Sequence, residues 1–345
     1  MGEAEFGPGS GEYPAAGGPS AGRSGATCVN SAGDVAGYTI PGRGLLPVLW
    51  RGGVSAVLLA QVPDSIHGAV TVINDAGECA GTDQTGEHPS MPVRWSASGA
   101  VVVMETLPGG LSIVSGINAG GVTVGSCFTE EGTPGAVRWD RGGEVTALGL
   151  PDSHVVSLAC DINDAGVIVG NAGPADLMGK AVRWNADGTI TELPMPEDAE
   201  NAVAMAINNA GVIVGEATSG RLLAESGSDP GQAVRWNTDG TVTRLPTLGG
   251  DHAAAQDIND SGVVVGSARR ADGSVRAVRW SAEGEVVDLG VLAGDVKSRA
   301  EAVNNAGVVV GESINANDET HAVLWQPDGT MVALGQLPPR RPDPS

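Results

Sequence analysis

Residues 159–194 read ACDINDAGVIVGNAGPADLMGKAVRWNADGTITELP, and this stretch decides the fold. It parses into four strand-like segments separated by turn signals. The first ends at Ile162, and Asn163-Asp164-Ala165-Gly166 follows as a tight turn in which glycine is free to take positive φ. The apolar run VIVG comes next, then a loop, then AVRW, then a short turn ending in Asp187-Gly188. The last segment, TITELP, alternates polar and apolar residues as an edge strand half open to water does. Strand A is therefore innermost, B and C are central, and D is outermost.

The same plan recurs along the chain. Tryptophan falls at Trp50, Trp95, Trp139, Trp184, Trp236, Trp280 and Trp325, and the turn asparagine at Asn30, Asn74, Asn118, Asn163, Asn208, Asn259 and Asn304. From Asn to the next Trp is 20 residues once, 21 in five units and 28 in the fifth, while Trp to the next Asn is always 23 or 24. Four strands per unit of about 45 residues, seven times over, predict an all-β, seven-bladed β-propeller with four antiparallel strands per blade. A parallel β-solenoid is the competing architecture, but solenoid coils do not use hairpin turns such as N-D-A-G and D-G. In this phasing the chain starts on a strand A and ends on a strand D. Blades seven and one then meet by side-chain packing alone, unless residues before Ala26 add a strand.

The propeller is expected over residues 26–337. Residues 1–25, rich in Gly, Pro and Ser, read as a disordered leader, and 338–345 as a disordered tail. The leader carries no charged head, apolar core or cleavage site of a secretory signal. As written, the chain reads as cytoplasmic, or as secreted if a signal has been removed. No run reaches the roughly 18 apolar residues of a membrane span. Cys28, Cys79, Cys127 and Cys160 lack metal-ligand spacing and fall on strand positions, where they read as small buried hydrophobes.

The chain has 41 acidic and 19 basic residues, a net charge of −22, which repels phosphate backbones and anionic lipid heads. Nucleic acid and membranes are not expected partners. A small molecule, peptide or protein bound by a monomer is. No GxSxG elbow, Walker loop, HExxH or paired-carboxylate motif is present.

The units, for instance DINDSGVVVGSA (257–268) with AVRWSAEGEVVDLG (277–290), resemble the HAF-repeat family, bacterial proteins described as extracellular repeats. The resemblance runs over residues 26–337. Its naming triplet stands as His321-Ala322-Val323, while the other units carry Ala-Val-Arg-Trp or a variant without the histidine. It implies a repeat architecture and secretion, and it brings no catalytic residues.

The A–B and C–D turns share one face, and the B–C and D–A loops share the other, the top. All five histidines map to the top: His67, His154 and His252 to D–A loops, His88 and His321 to B–C loops. Late D–A residues converge on the channel mouth. His67, Asn201, His252 and Lys297 share one phase, seven residues before the turn asparagine, and Glu200 and Asp251 precede that phase by one. Arg299 and His154 belong to the same loops. Strand A is uneven three residues before the asparagine, where Thr27, Thr71, Ser115, Cys160, Met205, Gln256 and Glu301 stand, and Asp161 and Asp257 are next to that position.

Two uses of this mouth follow. As a recognition module the protein would bind a ligand through Asn201, Lys297, Arg299, His154 and Glu301. As an enzyme, a lyase, cyclase or hydrolase, it would use His67 or His252 as general acid or base with Glu200 or Asp251 orienting it. No cofactor is required; Asp161 and Asp257 are oxygen donors of the kind that hold a divalent cation, or else cap backbone groups. The insertion Arg221–Asp229 reads as a flap over the mouth or a tolerated loop. A purely structural surface repeat is the third reading.

Overall fold

The computed structural model describes residues 12–13, 23–40, 44–53, 55–88, 90–151, 154–174, 179–219 and 231–335. Among them there is no helix, and the strands form seven antiparallel meanders in the order A-B-C-D. The insertion at 221–229, the tail at 338–345 and most of the leader lie outside the described residues. Two short pieces of the expected leader are in strands. Glu12–Tyr13 pairs with strand D of blade one, adding a fifth, outermost strand. Strand A of blade one begins at Arg23 rather than Ala26, because residues 23–25 pair in register with Tyr38–Ile40.

The seven A strands are Arg23–Val29, Ser65–Ile73, Leu111–Ile117, Val156–Ile162, Asn201–Ile207, Gly249–Ile258 and Asp295–Val303. Each carries a β-bulge, and the residue left out of the pairing with strand B is the one three before the turn asparagine. The uneven sequence position is thus the bulged residue, which is relieved of a ladder partner and turned by the local twist. The bulge also explains the glycine that closes the apolar run of every strand B. At Gly170, for example, an added Cβ would fall well inside contact distance of the Leu158 carbonyl oxygen, and the six equivalent glycines face the same obstruction.

Apolar clusters lie between blades. One joins Val169, Leu193 and Ala181 of blade four to Ala204, Ile213 and Trp236 of blade five, and the other junctions repeat it. The seven tryptophans at the ends of the C strands are buried in these seams. Six of them donate Nε1–H to a main-chain carbonyl just past strand D of the preceding blade, at 2.6–2.8 Å. Trp325 is different. Its Nε1 has no partner among the described residues, and the equivalent carbonyl, Gly290 O, accepts the Ser298 hydroxyl instead at 2.6 Å.

The turn asparagines form a closed ring. Each buried side chain accepts, through Oδ1, the backbone N–H four residues on, at 2.9–3.0 Å, which fixes its own A–B turn. Each donates, through Nδ2, to the main-chain carbonyl of the asparagine in the next blade, at 2.9–3.4 Å. The last of these, Asn304 Nδ2 to Asn30 O at 2.9 Å, joins blade seven to blade one. Trp50 Nε1 to Gly335 O (2.7 Å) and Ala322 N to Ser24 Oγ (3.2 Å) cross the same junction. Among the described residues no strand is exchanged there, and packing alone does not close the ring. Hydrogen bonds cross it as well, because the closing blades repeat the donors and acceptors of every other seam.

Two stability measurements follow. Trp280→Phe and Trp325→Phe remove the same indole, but only the first breaks a bond, that to Pro246 O at 2.8 Å. In urea unfolding Trp280→Phe should cost about 1 kcal/mol more than Trp325→Phe; equal losses would contradict the pairing. Asn163→Ala removes a turn acceptor and an inter-blade donor together, and a loss of about 2 kcal/mol is expected.

Candidate functional site

Strand A lines the axis, and its residues alternate. Those two, four and six before the turn asparagine are largely buried between blades, and those three, five and seven before it are on the channel side, where Gly25, Asn201, Val203 and Ala254 are nonetheless buried. From the top mouth downward the wall therefore has three levels. The first is Arg23, His67, Leu111, Val156, Asn201, His252 and Lys297. Gly25, Ala69, Ile113, Leu158, Val203, Ala254 and Arg299 form the second, and the bulged residues the third. Blades three and four contribute apolar side chains to the first two levels, and Ile113 is 44% exposed. Exposed Ile66, Leu150, Val155 and Val296 add apolar surface around the rim, Val296 in blade seven.

His67 and His252 lie in strand A rather than in loops, and they do one job in two blades. His67 Nδ1 accepts Leu45 N–H (3.2 Å), and His252 Nδ1 accepts Gly231 N–H (3.1 Å). Each imidazole so braces the B–C loop of the preceding blade, which fixes Nδ1 as the unprotonated nitrogen. Burial, reinforced by the nearby Arg269 guanidinium, lowers the His252 pKa. Its carboxylate neighbour is neither Glu200 nor Asp251. Glu200 is exposed, with its backbone N–H on Thr218 O, and Asp251 pairs with Arg269 at 3.0 Å. Glu216 Oε1 is the group beside His252, 4.0 Å from Nδ1. It fits there because residue 231 is glycine; a Cβ would overlap the carboxylate.

The remaining expected residues divide. Asn201 is buried opposite Thr218 in the ladder. Lys297 pairs with Asp318 at 3.2 Å on the surface. His154 sits 3.9 Å from Glu192 in strand D of blade four, the outermost strand and so away from the channel. His321 Nδ1 meets the buried Asp295 carboxylate at 3.0 Å, and His88 is exposed. Arg299 and Glu301 share the channel side of strand A in blade seven. Behind them Glu312 accepts the Tyr38 hydroxyl of blade one at 2.8 Å.

These groups make an ionisable arc over blades five, six, seven and one. Burial pushes the Glu216 carboxyl up to about 7. Glu301 is also raised to about 7, by burial first and then by repulsion from Glu312. Glu216, Glu312 and Tyr38 were not singled out from sequence, yet they share a signal. Each follows the strand-B glycine, a position that holds Tyr38, Thr82, Ser126, Asn171, Glu216, Ser267 and Glu312, all polar inside an apolar strand.

Asp161 and Asp257 lie lower in the channel and act as backbone acceptors. Asp161 Oδ2 takes Ile207 N–H (2.9 Å); Asp257 takes Val303 N–H (2.7 Å) and Ile258 N–H (2.7 Å). They belong to the set turned between blades, Asp161 also edging the bottom cavity, and burial raises both, Asp161 to about 7 with repulsion from Asp257 adding to it. Among the described residues no three metal-ligating side chains converge.

A cavity of about 190 Å³ opens at the bottom mouth, where the sequence suggested only structural turns. Its rim is self-satisfied. Asp75 accepts the N–H and hydroxyl of Ser31, Asp164 accepts Ala119 N–H and Asn209 Nδ2, and Asp260 accepts Asn209 and Asn305. These bonds use two of about four acceptor sites at Asp75 and Asp164 and three at Asp260, and they tie neighbouring blades together.

The solved structures to which the chain is similar share this architecture. A streptogramin B lyase matches at 14% identity over 88% of this chain and 94% of that one, with a TM-score of 0.55. The β-propeller domain of the Trilobed protease from Pyrococcus furiosus, of open velcro topology, matches at 12% over 91% and 98%, TM-score 0.58. The Pyrococcus horikoshii acylaminoacyl peptidase matches at 13% over 91% of this chain and 52% of its own, TM-score 0.59. At such identities the likeness shows the propeller fold alone. No known protein family matches the chain, and no curated protein matches it. The resemblance to HAF repeats accordingly rests on the repeat motifs only.

The raised carboxyls give stability a pH dependence. Folded Glu216, Glu301 and Asp161 hold protons up to about pH 7. The unfolded chain releases the same protons near pH 4. Between those values the native state binds more protons, so stability is greatest at the acid end and falls as pH rises through 7. The exposed Asp187, Asp239 and Asp328 are lowered by hydrogen bonds from threonine and act in the opposite sense only below the ordinary carboxylate range. Urea unfolding should show lower stability near pH 8 than near pH 5.5, and Glu216→Gln with Glu301→Gln should shrink the difference. A slope untouched by both changes would contradict the assignment.

Proposed function

We propose that the chain is a recognition module that binds a small molecule, peptide or protein at the top-face mouth of the propeller channel, and that it is a member of the HAF-repeat family. The observation that supports the site is the contrast between the two mouths. The bottom rim spends its polar groups on neighbouring blades, whereas the upper wall carries unlike side chains on a regular scaffold, the usual setting of binding residues. Charged groups cluster over blades five, six, seven and one, and apolar Leu111, Ile113, Val156 and Leu158 stand across the channel in blades three and four.

Binding fits this geometry better than catalysis. The Nδ1 atoms of His67 and His252 are occupied by main-chain N–H groups, and the two rings belong to blades two and six. Neither histidine is presented with a hydrogen-bonded carboxylate as an acid–base pair would be. The net charge of −22 argues against nucleic acid and anionic membranes as partners, and we take the monomer as the working unit.

The test is mass spectrometry of molecules that co-purify with the full chain, followed by affinity measurement. Replacing both His67 and His252 by Ala frees two B–C loops at the top and should weaken binding by about 1 to 3 kcal/mol. Asp164→Ala, on the bottom rim, should leave it unchanged. Retention of the ligand by the double mutant, with loss in the bottom-rim variant, would overturn the reading.

A further inference from the structure

The upper channel is two-sided in a way that specifies a chemistry. In a ring of seven, blade seven stands opposite the junction of blades three and four. Arg299 and Glu301 of blade seven therefore look across the channel at Leu111, Ile113, Val156 and Leu158. Two other charges of the mouth are paired, Asp251 with Arg269 at 3.0 Å and Lys297 with Asp318 at 3.2 Å. Arg299 and Glu301 are not. Neither side chain makes a hydrogen bond or ion pair to any described residue, although they lie two residues apart on one side of a strand and feel each other's field. Glu301 is enclosed by protein and opens on the channel. A carboxyl held there without a partner stays costly until a cation reaches it. Arg299 offers a planar fork of donors that matches a carboxylate.

On the reading that the top mouth is the binding site, we infer that its ligand is a zwitterion with an apolar body, the chemistry of a free apolar α-amino acid. The ammonium group docks on Glu301, with Glu312 and its Tyr38 partner behind. The carboxylate docks on Arg299, and the apolar body crosses the channel to Ile113 and Leu158. Each part is needed for a different reason. A cation alone leaves Arg299 unmatched, an anion alone leaves Glu301 unmatched, and a polar body leaves the exposed Ile113 face in water.

Four probes separate these contributions by titration calorimetry on the full chain: phenylalanine, phenethylamine without the carboxylate, 3-phenylpropanoate without the ammonium, and glycine without the body. Phenylalanine is expected to bind at least about tenfold more tightly than each of the others. Arg299→Gln should erase its advantage over phenethylamine, and Glu301→Gln its advantage over 3-phenylpropanoate. Ile113→Ser should erase its advantage over glycine. Glu301→Gln is isosteric, Arg299→Gln shortens an exposed side chain, and both fall at the channel wall, so circular dichroism and the urea midpoint should show folded protein. Equal binding of all four, a truncated probe binding best, or no binding of any overturns the inference. If that happens while the co-purifying molecule is still lost from the His67 and His252 double mutant, the proposed site stands and only its ligand class is wrong. If the co-purifying molecule is indifferent to the double mutant, the site itself is wrong.

Discussion

The ring of asparagine side chains at the bottom of the channel is the constraint on which the rest depends. Each Asn completes its own turn through Oδ1 and reaches the neighbouring blade through Nδ2, so the buried amide is satisfied at both ends. Together the two demands set the distance and tilt between successive A strands. Seven such steps return to the start, and Asn304 meets Asn30 with the same bond that joins every other pair. A ring closed in this manner has no need of an exchanged strand. The tryptophan bonds at larger radius repeat the logic, each tying a strand C to the tail of the preceding strand D.

Regularity at one end releases the other. At the upper ends of the A strands the inter-blade bonds are made by residues turned into the seams, such as Ser24, Ser157 and Ser298, while the residues between them tolerate unlike side chains. The β-bulge contributes directly, since it lifts one residue per blade out of the ladder and opens it on the channel, where it becomes Thr71 in one blade and Glu301 in another. Glycine in strand B is the counterpart, giving room for the carbonyl that the bulge displaces. Structure and site thus alternate along the upper part of each strand, with seam-facing residues serving the ring and channel-facing residues the site.

Several side chains show how far sequence reasoning reaches. The phase that groups His67 with His252 was visible in the repeat, and the shared phase gave them a shared role. That role is to hold a neighbouring loop, because their Nδ1 atoms meet main-chain N–H groups from a different blade. Asp251 is adjacent to His252 in the chain, but successive residues of a strand point to opposite sides, so it turns to Arg269. Glu216 is 36 residues away from His252 in sequence and beside it in space. The row of polar residues after the strand-B glycines was equally visible, though nothing local distinguishes such a row from solvent-facing alternation.

The sequence by itself determined the number of blades, the strands in each and the faces on which turns and loops fall, because those follow from local periodicity repeated seven times. It also determined that tryptophan belongs to the seams, since one residue type in one phase of every unit answers a packing demand common to all. Tertiary structure alone decided which side chains of different blades become neighbours, which carboxyls are enclosed and which charges are left unpaired. Those properties depend on the radius and closure of the ring. Repeats that are equivalent along the chain stand at different distances and directions across the channel, and no local pattern encodes that separation.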